Sequence, residues 1–127
     1  MASDSTKTLR VELVAADRVV WSGEATEVSA RTAEGDIGVL RDHAPLLSLL
    51  VPGLVRIDST EGRVVAAVEE GFISVADNRV SILSEDAALA SEIDVAQAQA
   101  ALEAAQAAGD ELAVLRAEAW LAAPKAS

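Results

Sequence analysis

Cysteine is absent from this chain of 127 residues. That excludes disulfides, thiolate nucleophiles and thiolate metal sites, and it suits a reducing compartment. There is one histidine, His43. Without cysteine, a metal site would need carboxylates to complete it, and no calcium-loop spacing is present. Trp21, Phe72 and Trp120 are the only aromatic residues, too few for a platform that stacks nucleic-acid bases. Basic residues are scarce as well: 10 Lys and Arg stand against 21 Asp and Glu, a formal net charge of −11. Nucleic acid and anionic lipid are poor partners for such a chain, whereas a basic protein surface suits it. The same acidity also serves solubility. Long apolar runs are missing. The longest, Ala44 to Val51, contains Pro45 and Ser48 and stops at Pro52, well short of the ~18 residues of a membrane span. The opening MASDSTKT is polar and lacks the apolar core of a secretory signal, so residues 1–8 are expected to be a frayed tail.

What is present has two textures. From Leu9 to Leu83 the chain reads as short strands with period-two alternation. Leu9, Val11 and Leu13 alternate with Arg10 and Glu12. Val19-Val20-Trp21 reads as a second strand broken at Ser22-Gly23. Val28, Ala30 and Thr32 lead to a turn at Glu34-Gly35. Leu46 to Val51 reads as a short buried strand stopped by Pro52-Gly53. Val55 and Ile57, then Val64, Ala66 and Val68, flank a hairpin turn at Thr60-Glu61-Gly62. Ile73 and Val75, then Val80 and Ile82, flank Asp77-Asn78. Strands this short and evenly spaced predict a sandwich or barrel. Trp21 and Phe72 are expected to pack in its core.

After Ser84 the alternation stops and 17 alanines follow. Alanine is the strongest helix former. Asp94 with Gln97 resembles a capping box, and Val95, Ala98, Leu102 and Ala105 make a stripe at helical spacing. Gly109-Asp110 breaks it. A second helix is expected from about Glu111 to Ala122, with Leu112, Leu115, Ala119 and Ala122 on one face, and Pro124 preventing continuation. The expected organisation is a β-sandwich of about ten short strands over residues 9–90, followed by a C-terminal α-helical hairpin over 91–127.

One stretch is more specific than these patterns. Glu34-Gly35-Asp36-Ile37-Gly38-Val39 is followed by His43-Ala44-Pro45-Leu46-Leu47 and then Pro52-Gly53. In this order and spacing it resembles the signature of the epsilon subunit of bacterial F-type ATP synthases. The resemblance extends from about Leu9 to Leu121, through Gly71-Phe72-Ile73-Ser74-Val75, Glu92-Ile93-Asp94 and Leu112-Ala113-Val114-Leu115-Arg116-Ala117. It implies a flattened ten-stranded sandwich with two C-terminal helices. It implies a non-catalytic rotor subunit, peripheral on the cytoplasmic face of the bacterial cell membrane. The implied partners are the gamma subunit, the membrane c-ring and, when the hairpin extends, the alpha/beta catalytic head. Asp36, Arg41 and His43 are then candidate ring contacts, Arg41 at a less fixed family position.

Some family members bind ATP at the hairpin. Here Ile93, Asp94 and Arg116 match that pattern, but Gln97 and Gln99 stand where cations would be, and Trp120 replaces a second arginine. A triphosphate wants several cations in one cradle, so these three residues are expected to be a weak or non-functional remnant, and no cofactor is expected. Eight acidic residues against two basic ones from Ser84 onward predict weak or differently made inhibition of ATP hydrolysis. Two other readings remain open: an unrelated β-sandwich adaptor with an acidic helical arm, and a small hydrolase pairing His43 with Asp42 or with Asp36 across the same loop.

Overall fold

The computed structural model describes residues 8–127; the expected tail lies, but for Thr8, outside them. The strands are β1 (Leu9–Ala15), β2 (Arg18–Thr32), β3 (Gly35–Leu40), β4 (Leu46–Leu50), β5 (Gly53–Ser59), β6 (Gly62–Val68), β7 (Gly71–Ala76), β8 (Arg79–Ser84) and β9 (Ala87–Leu89). A 3-10 turn at Ala90–Glu92 leads to α1 (Val95–Ala108) and α2 (Glu111–Ala126). Alternation decides which side chains point inward. Leu9, Val11, Leu13, Val28, Val55, Ile57, Ile73, Val75, Val80 and Ile82 are all buried in one core between two layers.

Strand β2 belongs to both layers. Its first half pairs with β1; beyond a register slip between Ala25 and Glu27 its second half pairs with β3 and β5. One layer therefore runs β3-β2-β5-β6-β9 and the other β4-β7-β8-β1-β2, with β1 and β8 parallel. This explains why nine strands are present among the described residues where about ten were expected. Val19-Val20-Trp21 and Val28 to Thr32 are not two strands; they are one strand of 15 residues. Gly23 does not break it. The Trp21 ring lies over that position, where an added Cβ would sit 2.8 Å from a ring carbon. Two-residue hairpins close as expected: Asp77 and Asn78 both take left-handed angles, φ 52° and 62°, between paired Ala76 and Arg79.

Other expectations need correction. Trp21 is partly buried against the core as expected, but Phe72 is 50% exposed. Phe72 lies out of phase with Ile73 and Val75, so it points away from the core. Strand β4 is not buried on both faces: Leu47 and Leu49 face outward while Ser48 and Leu50 face in. The helix faces also shift. Val95, Leu112 and Leu115 are exposed, whereas Ala98, Ala105, Ala117, Ala119 and Ala123 are buried. The buried positions of both helices are all alanines, with Trp120 partly buried beside them. Helix α2 also continues through Pro124 to Ala126. In the last turn a missing N–H and a crowded carbonyl disturb few remaining bonds.

Helix α2 docks on the outer face of β5 and β6. There Ala119 and Ala123 meet Val65, Ala67 and Ala90, with Leu54, Ile93 and Trp120 around them. Helix α1 packs chiefly on α2. The helix ends are set by the sequence. The Asp94 carboxylate accepts the Gln97 N–H at 3.2 Å, and the Asp110 carboxylate accepts that of Ala113 at 3.1 Å. Gly109 ends α1 at φ 68°, an angle glycine adopts without strain.

Candidate functional site: partner surfaces and the clamped arm

The outer face of the β4-β7-β8-β1-β2 layer carries an apolar row. Leu49 pairs with Phe72, Phe72 with Leu83, Leu83 with Val14 and Val14 with Val19. All but Val14 are at least half exposed, and Leu47, one row along from Leu49, is 71% exposed. At about 4.8 Å between strands the row runs roughly 20 Å across the sheet. In that next row Leu47 is followed by polar residues, with Ser74, Ser81 and Glu12 in register. A contiguous apolar strip with a polar border marks a protein-contact surface.

The candidate ring contacts do not form one cluster. Asp36 lies by the β2–β3 turn, pairs with Arg31 at 3.0 Å, and has a side chain 74% exposed. Arg41 and His43 lie at the far end of β3, about 17 Å along the strand. The expectation that Asp36 and His43 face each other across one loop is therefore wrong: the segment between them is extended strand. The His43 Nδ1 donates to the Ala44 carbonyl at 2.7 Å. Asp42 takes φ 67°; its N–H donates to the Asn78 side-chain oxygen at 2.6 Å, and its carboxylate accepts from the Asn78 amide at 3.2 Å. Arg41 donates to the Thr8 carbonyl at 3.1 Å. This tip is tied to itself.

The helical arm is held at two points. At its root, Arg18 donates to both carboxylate oxygens of Glu92, at 2.9 and 3.2 Å, and to the Ala87 carbonyl at 3.4 Å. Glu92 also accepts the Leu89 N–H at 2.9 Å. Farther out, Arg116 of α2 reaches the β6–β7 turn. Its Nε donates to Glu70 at 3.0 Å, a second nitrogen bonds the other Glu70 oxygen, and Glu69 lies 3.5 Å away. The Trp120 indole N–H donates to Glu69 at 3.2 Å. Glu69, Glu70 and Arg18 are missing from the sequence expectations, where Glu92 enters only within Glu92-Ile93-Asp94. The signal available was an acidic pair placed where a sheet turn needs no charge.

The structure does bring Ile93, Asp94 and Arg116 together. They line one cavity of about 450 Å³ with Glu69, Asp86, Glu92, Gln97 and Trp120. Four carboxylates and one cation face it, and that cation is already engaged by Glu70.

The two neighbouring glutamates titrate in opposite directions. The bond to Arg116 holds the Glu70 carboxyl below the usual 4.5, and Arg18 does the same for Glu92. Burial pushes the Glu69 carboxyl above 4.5, against the lowering effect of the Trp120 N–H. The stability from Glu70 and Glu92 is complete above their unfolded value of 4.5 and is lost as pH falls through their lowered values. That from Glu69 has the other sign: it is present at low pH and is lost as pH rises from 4.5 through its raised value. Arm docking is expected to be strongest a little above 4.5 and to weaken on further acidification. Near-ultraviolet dichroism of Trp120 between about pH 3 and pH 7 checks this, with Glu70→Gln blunting the acid limb.

A two-layer sandwich with an apolar outer strip and a clamped two-helix arm is the architecture of a protein-contact module. Comparison with known proteins agrees. Residues 8–90 match the family model described as "ATP synthase, Delta/Epsilon chain, beta-sandwich domain". The ATP synthase epsilon chain of Streptomyces avermitilis is 57% identical over 119 residues, 93% of this chain and 96% of that protein. That of Nocardia farcinica is 50% identical over 116 residues, 90% and 89% of the two chains. Among solved structures, a chain in the Euglena gracilis mitochondrial ATP synthase, OSCP/F1/c-ring, superposes with TM-score 0.71 at 27% identity, covering 91% of this chain and 76% of that one. A chain of the Tetrahymena thermophila central stalk and c-ring shares the fold, with TM-score 0.55 at 20% identity over 66% and 68% of the two chains. The chain belongs to the F-type ATP synthase delta/epsilon family, on its epsilon-chain side. As a member it is an accessory chain of the ATP synthase complex.

Proposed function

We propose that this chain is the central-stalk subunit that fastens gamma to the membrane c-ring, so that proton-driven rotation of the ring turns gamma inside the catalytic head. Within the family, the observation that carries this reading is the apolar row Leu49–Phe72–Leu83–Val14–Val19, on the layer opposite the arm. Gamma is assigned to that face. A closely packed sandwich suits the load because dense interiors transmit strain with little give. Among the described residues no helix is long and apolar enough to cross a membrane. Peripheral attachment on the cytoplasmic face through these partners is the corresponding location.

For the ring contact, Asp36 is the favoured residue. Its side chain projects from an exposed turn, whereas Arg41 and His43 belong to the tip tied to Asn78 and Thr8. Purification of the tagged chain from membranes is expected to bring down gamma and the c-ring together. Recovery of some other partner supports the adaptor reading, and loss of an intrinsic activity on His43→Ala would support the hydrolase one.

The arm is proposed to regulate ATP hydrolysis by leaving the sandwich and meeting the alpha/beta head. With six acids against two cations over residues 92–127, it carries little of the positive charge that would bind an acidic surface of the head. Deleting residues 92–127 is expected to raise ATP hydrolysis by the whole complex only slightly; a many-fold rise contradicts this. ATP itself is not expected to hold the arm, because its cavity presents Glu69, Asp86, Glu92 and Asp94 to a phosphate. Calorimetry on the full chain should show no binding, and micromolar affinity would overturn the remnant reading of Ile93, Asp94 and Arg116.

A further inference from the structure

The seam under α2 is thin. Ala119 and Ala123 each remove little apolar surface from water, and α1 adds little because it leans chiefly on α2. Such a seam does not fix one position strongly. The directional contacts are polar and sit at two places. At the root, Arg18 grips Glu92 with two hydrogen bonds and also reaches the Ala87 carbonyl. Those bonds tie the 3-10 turn to the first residue of β2. Between that turn and α1 only Ile93 and Asp94 remain, both in extended conformation. Farther along the arm, Arg116 binds Glu70, with Glu69 beside it bonded to Trp120.

We propose that the Glu70–Arg116 pair is the release clamp of the arm, and that the arm swings about Ile93-Asp94 while Arg18 keeps Glu92 fixed to the sandwich. The docked arm is then retained by a carboxylate of the chain itself, and its population responds to ionic strength. The clamp is part-exposed, with side chains about a third accessible, so salt reaches it. Its two partners lie 46 residues apart in sequence, and no other cation of the arm faces the β6–β7 turn among the described residues. The proposal concerns the arm that the proposed function assigns to regulation. It does not depend on which partner the arm meets on release.

The test uses the full chain in isolation, so its failure would leave the stalk reading standing. Because the chain has no cysteine, Thr60→Cys and Ala107→Cys place one spin-label pair on an exposed sandwich turn and on α1. Electron–electron distance measurements then report docked and undocked populations. Glu70→Gln and Arg116→Gln are each expected to raise the undocked-to-docked ratio about fivefold. Together they should add little beyond either alone. Glu70→Arg combined with Arg116→Glu should restore docking. Glu69→Gln keeps an acceptor for Trp120 without a buried charge, and it should leave docking unchanged or favour it. Raising salt to about 1 M should shift the parent chain towards the Glu70→Gln distribution and move that variant much less, through the remaining Glu69–Arg116 and Arg18–Glu92 pairs. Arg18→Gln should broaden the undocked distances, since it frees the 3-10 turn. Identical distributions for the parent, Glu70→Gln and Arg116→Gln would overturn the clamp. A Glu70→Gln variant as salt-sensitive as the parent would overturn it too. An Arg18→Gln variant with unchanged undocked distances would overturn the pivot.

Discussion

Phe72→Asp is expected to weaken binding to the gamma subunit by at least about 30-fold, a loss of ~2 kcal/mol, while the chain stays folded. Phe72 is the one aromatic side chain of the apolar row, with Leu49 on one side and Leu83 on the other. Large aromatic anchors near the centre of a contact patch dominate binding, because truncation there exposes surface that neighbours cannot cover. A carboxylate adds a second cost, since docking would bury it without a partner. The fold should tolerate the change. Phe72 points outward and is half exposed, and solvent-face substitutions in strands cost less than about 1 kcal/mol. Glu61→Ala, in the exposed β5–β6 turn, is the control expected to bind normally. Surface-plasmon measurement with gamma immobilised, beside thermal melts of each variant, separates lost binding from lost structure. Unchanged affinity for Phe72→Asp would show that gamma uses another face.

Gly71→Ala, one residue earlier, is expected to act on the fold. A Cβ at Gly71 would fall 1.8 Å from the Leu83 carbonyl oxygen and 2.8 Å from the Ser84 Cα. Both are backbone atoms of β8, and Gly71 and Ser84 are register partners, so no side-chain rotation relieves the clash. Strands β7 and β8 would have to part. Overpacking ordinarily costs 1–3 kcal/mol, and a backbone obstacle puts this case near ~3 kcal/mol. For a domain of this size that lowers Tm by roughly 10 °C. The effect reaches the arm, because Ser84 accepts the Glu69 N–H at 2.9 Å and so holds the turn that carries the acidic pair. A melt within 2 °C of the parent, on the ~3 °C per kcal/mol scale for such domains, would contradict this close approach. Neighbouring positions thus separate two roles, one in strand packing and one in partner contact.

Much of this was legible in the residues. Period-two alternation placed the inward side chains of β1, β5, β7 and β8 correctly, because burial of one sheet face demands it. The caps at Asp94, Gly109 and Asp110 were readable because each solves a local hydrogen-bond problem. The failures have physical causes too. The expectations of Phe72 in the core and of a buried strand from Leu46 to Val51 fail because sequence does not say whether an apolar outer face meets solvent or a partner. Both faces of β6 are apolar for a different reason: α2 covers Val65 and Ala67. Of the expected helix faces, Ala98, Ala105 and Ala119 are buried, whereas Val95, Leu112 and Leu115 lie outside. The buried helix positions are all alanines. Glu69 and Glu70 show no partner in the sequence, because Arg116 is 46 residues away from Glu70. Asp36 and His43 were drawn together by proximity in sequence, although an extended strand separates its ends by ~3.4 Å per residue.

The central claim is that this chain turns with the rotor. With no native cysteine, a single cysteine at Phe72 can be joined by a disulfide to a cysteine on gamma in the assembled complex. ATP-driven proton pumping should persist with the bond closed, because both partners move together. Pumping that stops when the bond forms, and returns on reduction, would mean that gamma turns against this chain, and the rotor assignment would fail.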